Sequence, residues 1–482
     1  MEQTIPHWLT KQAFLHPEKT AIELENGEKV SFYSLKKMSE AFARKLAALN
    51  IKKGTHVGLL SNNNLDLVIA IHALTYLQAV AVLFNIRLTK RELNYQFDDS
   101  DVSIIITTSK LAEEKSLRFK NVQLFETIKK VQEKQISLTQ ELHLKDPFTI
   151  MYTSGTTGQP KGVIHTYGNY WWSATASALN LGLHLNDKWL ATLPIFHIGG
   201  LSIFIRSVIY GISVYLMEKF HPKAVHESIM NNGVTIISVV PIMLKKLIDE
   251  LQDHVYPSTF RYMLLGGASA PKKLLEKALE NKIPVFQSYG MTETTSQIVT
   301  LHPSYNLHKI GSSGKPLIPA EVKIIHRDQS GIGEILVRGP MVTKGYYNKP
   351  SVNRERIQNN WLHTGDLGYF DKEGFLYVVD RRNDLIISGG ENVYPSEIEQ
   401  IIMEMNGIKE AAVIGKKDPT WGEVPVAFIA LKDKTISKEE ILAYLRENIA
   451  SYKVPKEIYF LERLPRNATN KIVREKLRLR IE

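Results

Sequence analysis

Short apolar runs alternate with helix-like segments along most of the chain. The runs are rich in β-branched side chains and occupy residues 57–60, 103–107, 149–152, 235–240 and 262–265. Several of the segments between them have the spacing of helices. Strands that alternate with helices in this way are typical of parallel sheets covered by helices. The pattern predicts an α/β fold with largely parallel sheets.

One uncharged stretch, residues 67–86, is long enough to cross a bilayer. It contains His72, Gln78 and a run of small residues, which suit a protein core better than lipid. A buried helix over 66–77 and a short buried strand over 79–84 account for it. The amino terminus lacks the basic and apolar segments of a signal peptide. We therefore predict a chain with no membrane insertion.

The pattern of apolar runs, glycines and polar residues changes twice in the last third of the chain. From about residue 311 short strands are punctuated by glycine, as in 331–339, which predicts a β-rich subdomain over about 311–380. A polar cluster at 380–384 then separates two apolar runs. Beyond it the pattern predicts a helix over 396–405, strands over 410–414 and 426–431, and a helix over 438–448. We predict an N-terminal domain over 1–383 and a small, mobile α+β C-terminal domain over 384–482.

Composition narrows the class of protein. The 482 residues include 60 Lys and Arg against 50 Asp and Glu, a net charge of +10, and 44% are hydrophobic. This composition is that of a folded protein, and the length exceeds one ordinary core. The absence of cysteine excludes disulfides, thiolate metal sites and a cysteine nucleophile, and it fits a cytoplasmic protein. The modest positive charge does not require nucleic acid as a partner.

The strongest chemical signal is residues 152–162, Tyr-Thr-Ser-Gly-Thr-Thr-Gly-Gln-Pro-Lys-Gly, which follow a predicted strand. Glycines allow backbone N–H groups to approach an anion, hydroxyls add donors, and the lysine adds positive charge. The segment differs from a Walker A loop because its lysine does not directly follow the last glycine and no Ser or Thr comes after it. We interpret it as a loop that binds a polyphosphate.

Three further motifs suit a nucleotide. Residues 287–294 supply Tyr289 as a flat face for a base, Thr292 as a phosphate donor and Glu293 as a hard oxygen ligand for Mg²⁺. In residues 363–366, Asp366 follows a glycine turn and can accept hydrogen bonds from both ribose hydroxyls. Residues 464–474 carry Lys471 on a polar loop. None of these motifs decides the function by itself.

Together, in this order and spacing, the four motifs resemble those of the acyl-adenylate-forming enzymes, which include acyl-CoA synthetases, the adenylation domains of peptide synthetases and beetle luciferases. The resemblance extends over nearly the whole chain and implies an AMP-forming acid–thiol ligase. The residues implied to hold the β- and γ-phosphates of ATP are Thr153, Ser154, Gly155, Thr156, Thr157 and Lys161. Those implied to frame adenine are Gly267, Ala268, Ser288, Tyr289 and Gly290.

The resemblance also implies the catalytic and moving parts. Thr292 would contact the α-phosphate, Glu293 would bind Mg²⁺, Asp366 and Arg381 would hold the ribose, and Lys471 would be the catalytic lysine. Asn470 departs from the glycine usual in the family before this lysine. The remaining implied parts are a hinge at Asp384 and a face at Gly389 and Gly390 that receives a thiol. Because the chain has no cysteine, the thiol belongs to a ligand such as coenzyme A.

The acid substrate is the least determined part. The resemblance assigns its pocket to His197, Ser238, Gly266 and nearby residues. Arg206 lies in the otherwise apolar run 201–210, and a buried arginine there needs a partner. A second carboxylate on the substrate would provide one, whereas an arginine that reaches the surface would need none. The substrate implied by the first alternative is a small dicarboxylic acid.

Several alternatives remain at this point. A fatty-acid or aryl-acid CoA ligase needs no basic residue in the pocket, and an adenylation enzyme that loads a carrier protein would not use free coenzyme A. A luciferase-like monooxygenase shares the adenylation step. A non-enzymatic nucleotide-binding scaffold is also compatible with the fold, although it would not need Lys471, Glu293 and Asp366 together. The sequence leaves a homo-oligomer open.

Overall fold

Helices cover much of the chain in the computed structural model, which describes residues 3–117, 121–154, 160–267, 270, 272–327, 331–381, 386–432, 436–465, 472 and 474–481. The α-helices of these residues are α1 Trp8–Leu15, α2 Phe32–Ala48, α3 Leu65–Leu77, α4 Lys90–Asp99, α5 Ser109–Glu114, α6 Phe125–Ile128, α7 Tyr167–Leu181, α8 Ile198–Tyr210, α9 Pro222–Asn231, α10 Pro241–Leu251, α11 Lys272–Glu280, α12 Asn306–Lys309, α13 Pro350–Arg356, α14 Pro395–Met403, α15 Lys438–Asn448 and α16 Arg474–Arg478.

The strands alternate with these helices over the first 300 residues. They are β1 Thr4–Pro6, β2 Thr20–Leu24, β3 Lys29–Ser31, β4 His56–Leu60, β5 Val80–Leu83, β6 Ile104–Thr107, β7 Val122–Leu124, β8 Glu141–His143, β9 Pro147–Ser154, β10 Pro160–Thr166, β11 Lys188–Ala191, β12 Ser213–Leu216, β13 Ile236–Val239, β14 Tyr262–Leu265, β15 Val285–Met291, β16 Ser296–Leu301, β17 Lys315–Pro316, β18 Glu321–Ile325, β19 Gly333–Arg338, β20 Ile357–Gln358, β21 Trp361–Phe370, β22 Leu376–Arg381, β23 Ile386–Ser388, β24 Glu391–Val393, β25 Ile408–Asp418, β26 Gly422–Leu431 and β27 Glu457–Phe460.

Two large sheets organise the chain up to β17. One has the strand order β10-β9-β5-β4-β6-β7, and the other has the order β17-β16-β15-β14-β13-β11-β12-β2-β3. The pairs from β15 through to β2 are parallel, and the outer pairs of that sheet are antiparallel. One hydrophobic cluster takes residues from both sheets and from α2, α3 and α8. The predicted α/β fold class is confirmed.

The stretch considered as a membrane span is a buried helix and strand, as predicted. Asn64 caps α3, since its Oδ1 accepts from the backbone N–H of Leu67 at 2.8 Å, and Gln78 ends the helix with a φ of 52°. Every residue of α3 from Leu67 onward is buried. No helix of the described residues is long and apolar enough to cross a membrane.

The rest of the chain forms two smaller antiparallel-rich sheets. The first has the order β18-β19-β21-β20, with β22 on β21, and the second has the order β24-β23-β26-β25, with β27 on β26. The helix predicted over 438–448 is α15, where Ser437 and Glu440 form a capping box. These elements give the β-rich and the small α+β parts of the fold.

The chain divides into two compact units, one of which is discontinuous. The first comprises Met1–Ile86, Phe97–Met151 and Gly162–Val379, and the second comprises Arg87–Gln96, Tyr152–Lys161 and Asp380–Glu482. Inside the second unit, Lys453 is 3% exposed and its Nζ lies 2.7 Å from carboxylate oxygens of both Glu92 and Glu397. Burial disfavours the charged lysine, but the carboxylates more than offset this and raise its pKa. The predicted hinge residue, Asp384, lies outside the described residues and stays a prediction.

Candidate active site

Two residues predicted to bind the nucleoside meet in the first unit. Tyr289 lies on β15 and Asp366 on β21, and the tyrosine hydroxyl donates to Asp366 Oδ2 at 2.7 Å. Both residues are buried. The backbone N–H of Asp366 donates to Thr364 Oγ1 at 3.0 Å, which fixes the turn. A carboxylate has about four lone-pair sites, so Asp366 can accept ribose hydroxyls in addition to the Tyr289 hydroxyl.

Gly266, predicted for the acid pocket, and Gly290, predicted to frame adenine, are both closely packed. β14 and β15 are parallel neighbours, so their carboxyl ends lie at one edge of the sheet. The Ser288 hydroxyl donates to the Leu265 carbonyl at 2.9 Å, and a Cβ on Gly266 would lie only 2.9 Å from that hydroxyl oxygen. A Cβ on Gly290 would lie 2.2 Å from the Ser296 carbonyl oxygen. A flat ligand at this edge would therefore meet backbone and small side chains.

Glu293 is fixed at both its backbone and its carboxylate. It lies in a short 3₁₀ helix, Thr292–Thr294, between β15 and β16. The Thr343 backbone N–H donates to the Glu293 carbonyl at 2.8 Å, and the Tyr346 hydroxyl donates to Glu293 Oε1 at 3.0 Å. Mg²⁺ is commonly bound by one or two carboxylates together with substrate phosphates. A single oriented carboxylate at the end of a predicted nucleotide site fits that mode.

Arg206 and Ser238 both contact one tryptophan. Trp189 on β11 donates from Nε1 to Ser238 Oγ at 3.1 Å, and the Arg206 guanidinium lies 5.5 Å from the centre of the Trp189 ring. Arg206 is carried by α8. His197 precedes that helix, and its ring packs against Phe196 with centroids 4.7 Å apart. Two of the residues predicted for the acid pocket therefore lie close together.

The Arg206 guanidinium is a buried cation. The residue is 2% exposed, and its Nε and Nη2 have no hydrogen-bond partner among the described residues. Burial lowers its pKa from the ordinary value, and neighbouring Tyr210 and Tyr262 oppose that shift. Buried charges are normally paired. The sequence alternative in which this side chain reaches the surface is excluded.

Comparison with known proteins decides the family. The model of the AMP-binding enzyme family matches residues 9–347, and the model of the AMP-binding enzyme C-terminal domain matches residues 397–471. The chain belongs to the AMP-binding enzyme family. The predicted resemblance to acyl-adenylate-forming enzymes is confirmed.

Two relatives of this AMP-binding enzyme match at least 98% of its length. A 2-succinylbenzoate–CoA ligase of Oceanobacillus iheyensis is 54% identical over 99% of this chain and 100% of its own. The o-succinylbenzoate CoA synthetase of Bacillus subtilis, solved as a double mutant with the product analogue OSB-NCoA, is 44% identical over 98% of both chains, with a TM-score of 0.95. Its complexes with the intermediate OSB-AMP and with ATP and magnesium ion both give a TM-score of 0.77, at 44% and 43% identity, and cover 98% of this chain and 98% and 100% of theirs. These relatives are CoA ligases, so the predicted enzyme class is confirmed.

The other predicted nucleotide residues of this AMP-binding enzyme are only partly described. Thr153 lies half-buried on β9, which ends at Ser154, and Lys161 lies buried on β10. Arg381 ends β22. The predicted residues outside the described ranges are Gly155, Thr156, Thr157, Ala268, Asp384 and Lys471. Their roles stay predictions.

The glycine pair of the predicted thiol face has a local reason to be glycine. In the second unit, Gly389 and Gly390 have φ values of +58° and +84°. A Cβ on Gly389 would lie 2.6 Å from the Trp421 ring. The backbone N–H of Gly389 donates to the Trp421 carbonyl at 2.8 Å. The turn therefore requires glycine at 389 for packing, whether or not a thiol passes. The thiol face stays a prediction.

Three residues of the site were missed by the sequence analysis. Thr343 and Tyr346 orient Glu293, and His165 donates from Nε2 to the Thr292 carbonyl at 2.7 Å. They lie 50 or more positions from their partners along the chain, where no local pattern connects them. The one available signal was the His at 165, three residues beyond the phosphate-binding segment.

Asp366→Asn is expected to weaken ATP binding about 10- to 100-fold. Asparagine keeps the shape but replaces one carboxylate oxygen by an N–H donor, and hydrogen bonds to charged groups contribute about 1.5–3 kcal/mol. Calorimetric titration with Mg·ATP measures the change. Asp371→Asn is the matched control, because Asp371 is a carboxylate that pairs with Lys309 and has no predicted nucleotide role. Unchanged affinity in Asp366→Asn would remove Asp366 from the ribose site.

Proposed function

We propose that this protein is an ATP-dependent CoA ligase that converts o-succinylbenzoate, through its acyl-adenylate, to o-succinylbenzoyl-CoA with release of pyrophosphate and AMP, in menaquinone biosynthesis. The full-length relatives carry this activity in their names. The sequence by itself is most similar to these ligases, and the comparisons confirm that resemblance. The observation in the molecule that carries the proposal is the buried guanidinium of Arg206, whose Nε and Nη2 have no hydrogen-bond partner among the described residues.

The substrate explains this cation. o-Succinylbenzoate has two carboxylates: the succinyl carboxylate is activated, and the ring carboxylate stays an anion. A guanidinium binds a carboxylate through two parallel N–H···O hydrogen bonds. Arg206 retains two unpartnered N–H-bearing nitrogens in the described part of the chain. The ring carboxylate would supply the negative charge and the acceptors that these two nitrogens lack among the described residues.

In the first half-reaction, a substrate carboxylate oxygen attacks the α-phosphorus of ATP and the bond to pyrophosphate breaks. Negative charge increases on the phosphoryl oxygens, and catalysis rests on alignment and on charges already in place. Asp366 and Tyr289 would hold the nucleoside, Thr292 would donate to the α-phosphate, and Lys471 would approach the developing charge. Glu293 would hold Mg²⁺, which supplies neutralisation of the phosphates when bound.

In the second half-reaction, the thiolate sulfur of coenzyme A attacks the acyl carbon and AMP leaves. The chain has no cysteine, so no acyl-enzyme thioester can form. Rotation about Asp384 would withdraw Lys471 and present Gly389 and Gly390 to the thiol. Such lid and domain motions commonly separate steps that share one site.

A panel of acids tests the proposal. Pyrophosphate exchange into ATP would be measured with o-succinylbenzoate, with 4-oxo-4-phenylbutanoate, which lacks the ring carboxylate, and with decanoate. We expect exchange with o-succinylbenzoate at least 100-fold above the others in kcat/KM, followed by thioester formation with free coenzyme A. Exchange with decanoate and none with o-succinylbenzoate would overturn the substrate. Exchange without transfer to free coenzyme A would favour a carrier-loading enzyme.

A further inference from the structure

A chain of buried hydrogen bonds ends on the backbone of the ATP-binding turn. The hydroxyl of Tyr170 on α7 lies 2.8 Å from Thr149 Oγ1 on β9, and that oxygen lies 3.0 Å from Nδ1 of His165 on β10. The other ring nitrogen of His165 lies 2.7 Å from the carbonyl oxygen of Thr292. His165 and Thr149 are completely buried, and Tyr170 is 2% exposed. The contacts therefore join three elements of the first unit to the turn.

The direction of every bond in this chain is determined. A carbonyl oxygen only accepts, so His165 Nε2 carries the hydrogen. Burial lowers the pKa of the imidazole to about 4, and the hydrogen bond to the Thr292 carbonyl opposes that shift. The ring is therefore neutral near pH 7, and Nδ1 is an acceptor. Thr149 must donate to Nδ1, and Tyr170 in turn must donate to Thr149.

The carbonyl that receives this bond belongs to the residue predicted to contact the α-phosphate. The next residue, Glu293, has its own carbonyl held by the Thr343 N–H at 2.8 Å. Two successive carbonyls of one short turn are thus fixed by separate elements, β10 and the segment before Tyr346. In a site whose catalysis depends on alignment, a shift of about 1 Å can cost about 100-fold in rate.

We propose that His165 is a positioning residue for adenylation: its Nε2–H holds the Thr292 carbonyl and so sets the places of the Thr292 hydroxyl and the Glu293 carboxylate toward Mg·ATP. The inference deepens the proposed function and rests on it for the identity of the reaction. His165 follows Lys161 by four residues on β10. The strand that follows the predicted phosphate-binding segment would thereby also orient the turn predicted to contact the α-phosphate.

Two substitutions separate positioning from packing. His165→Leu removes both hydrogen bonds, whereas His165→Gln keeps a side-chain N–H donor for the Thr292 carbonyl and an oxygen acceptor for Thr149. We expect His165→Leu to weaken Mg·ATP binding about 10-fold by calorimetry and to lower the exchange rate about 10- to 100-fold. The KM for the acid should change less than 3-fold. His165→Gln should recover both nucleotide readouts to within about 3-fold of the unsubstituted protein.

A second buried histidine supplies the matched control. His72 is 3% exposed on α3, and burial lowers its pKa to about 4. His72→Leu should change the melting temperature as much as His165→Leu does, yet leave Mg·ATP affinity unchanged. Equal losses in His165→Leu and His165→Gln, or full Mg·ATP affinity in His165→Leu, would overturn the inference.

The calorimetric readout needs no acid and so stands apart from the substrate proposal. If the unsubstituted protein binds Mg·ATP but shows no exchange with o-succinylbenzoate, the proposed substrate fails while the His165 comparison remains decisive. If exchange is normal and His165→Leu binds Mg·ATP as the unsubstituted protein does, the substrate stands and the positioning role fails. Failure of the substrate proposal and failure of the positioning role therefore give different experimental results.

Discussion

Arg206→Met is expected to make the protein more stable and, for o-succinylbenzoate, a far poorer enzyme. The free energy of unfolding without substrate should rise by about 1–4 kcal/mol, the range seen when buried charged groups are replaced by apolar ones. The kcat/KM for o-succinylbenzoate should fall about 10²- to 10³-fold, because its ring carboxylate would be buried without a partner, at about 2–5 kcal/mol. Denaturant titration and steady-state kinetics measure the two effects.

The opposite signs come from one feature. Without substrate, the guanidinium of Arg206 is 2% exposed and two of its nitrogens have no partner in the described part of the chain. Methionine has a similar length and can pack on Trp189 without that cost. With substrate, the same guanidinium becomes the partner of a carboxylate. Activity with 4-oxo-4-phenylbutanoate, which has no ring carboxylate, should therefore stay within about 3-fold or increase.

Arg261→Met is the matched control. Arg261 forms an ion pair with buried Asp187 and donates to the Leu181 carbonyl at 2.9 Å, so it is an arginine with partners inside the protein. Its replacement removes the arginine of that ion pair from the buried carboxylate of Asp187, and the free energy of unfolding should fall. The preference between the two acids should not change. If Arg206→Met lowered stability in the same way and left the preference intact, Arg206 would be a structural residue and the carboxylate assignment would be wrong.

Lys471→Ala is expected to separate the two half-reactions. Loss of a cation at the developing phosphoryl charge should lower the exchange of pyrophosphate into ATP by at least about 10²- to 10³-fold, the usual effect of removing one such stabilising group. Thioester formation from supplied o-succinylbenzoyl-AMP and coenzyme A breaks no phosphoanhydride. It should stay within about 3-fold, because the lysine is expected to be withdrawn at that stage.

Lys476→Ala controls for a loss of positive charge near the carboxyl end. Lys476 is exposed on α16, five residues beyond Lys471, and has no predicted role. Both half-reactions should be unchanged in this variant. Equal loss of adenylation and thioester formation in Lys471→Ala would contradict alternation about Asp384 and would place the lysine at the acyl group in both steps.

Local patterns predicted the elements well and long-range contacts poorly. The predicted helix over 66–77 is α3, Leu65–Leu77, because one capping Asn and continuous burial define it. The predicted strand over 262–265 is β14 without change. The reversal at β16 could not be predicted. It depends on Thr295 in a left-handed conformation, φ 52°, which a residue other than glycine does not signal.

The same distinction between local patterns and long-range contacts applies to the residues of the candidate site. Tyr289 and Asp366 could be chosen from the sequence because an aromatic ring and a carboxylate suit a nucleoside. The structure joins their side chains at 2.7 Å, and their role in binding a nucleoside stays a prediction. His165 could not be assigned a role from the sequence. Its ring bonds a carbonyl that lies 127 positions away along the chain, and no local pattern indicates that contact. Arg206 was left between two readings because a helix with apolar residues on all sides does not show which side meets solvent. Its burial is a property of the folded chain.

The discontinuous second unit has a consequence for protein synthesis. Glu92 is translated 361 residues before Lys453, the cation that it shares with Glu397. At a translation rate of about 5–20 residues per second, Lys453 is made roughly 20–70 s after Glu92. The segment 87–96 also carries Arg87, Lys90 and Arg91, charged side chains that favour water while that partner is missing. The Glu92 carboxylate can therefore be buried against its cation only after Lys453 has been made.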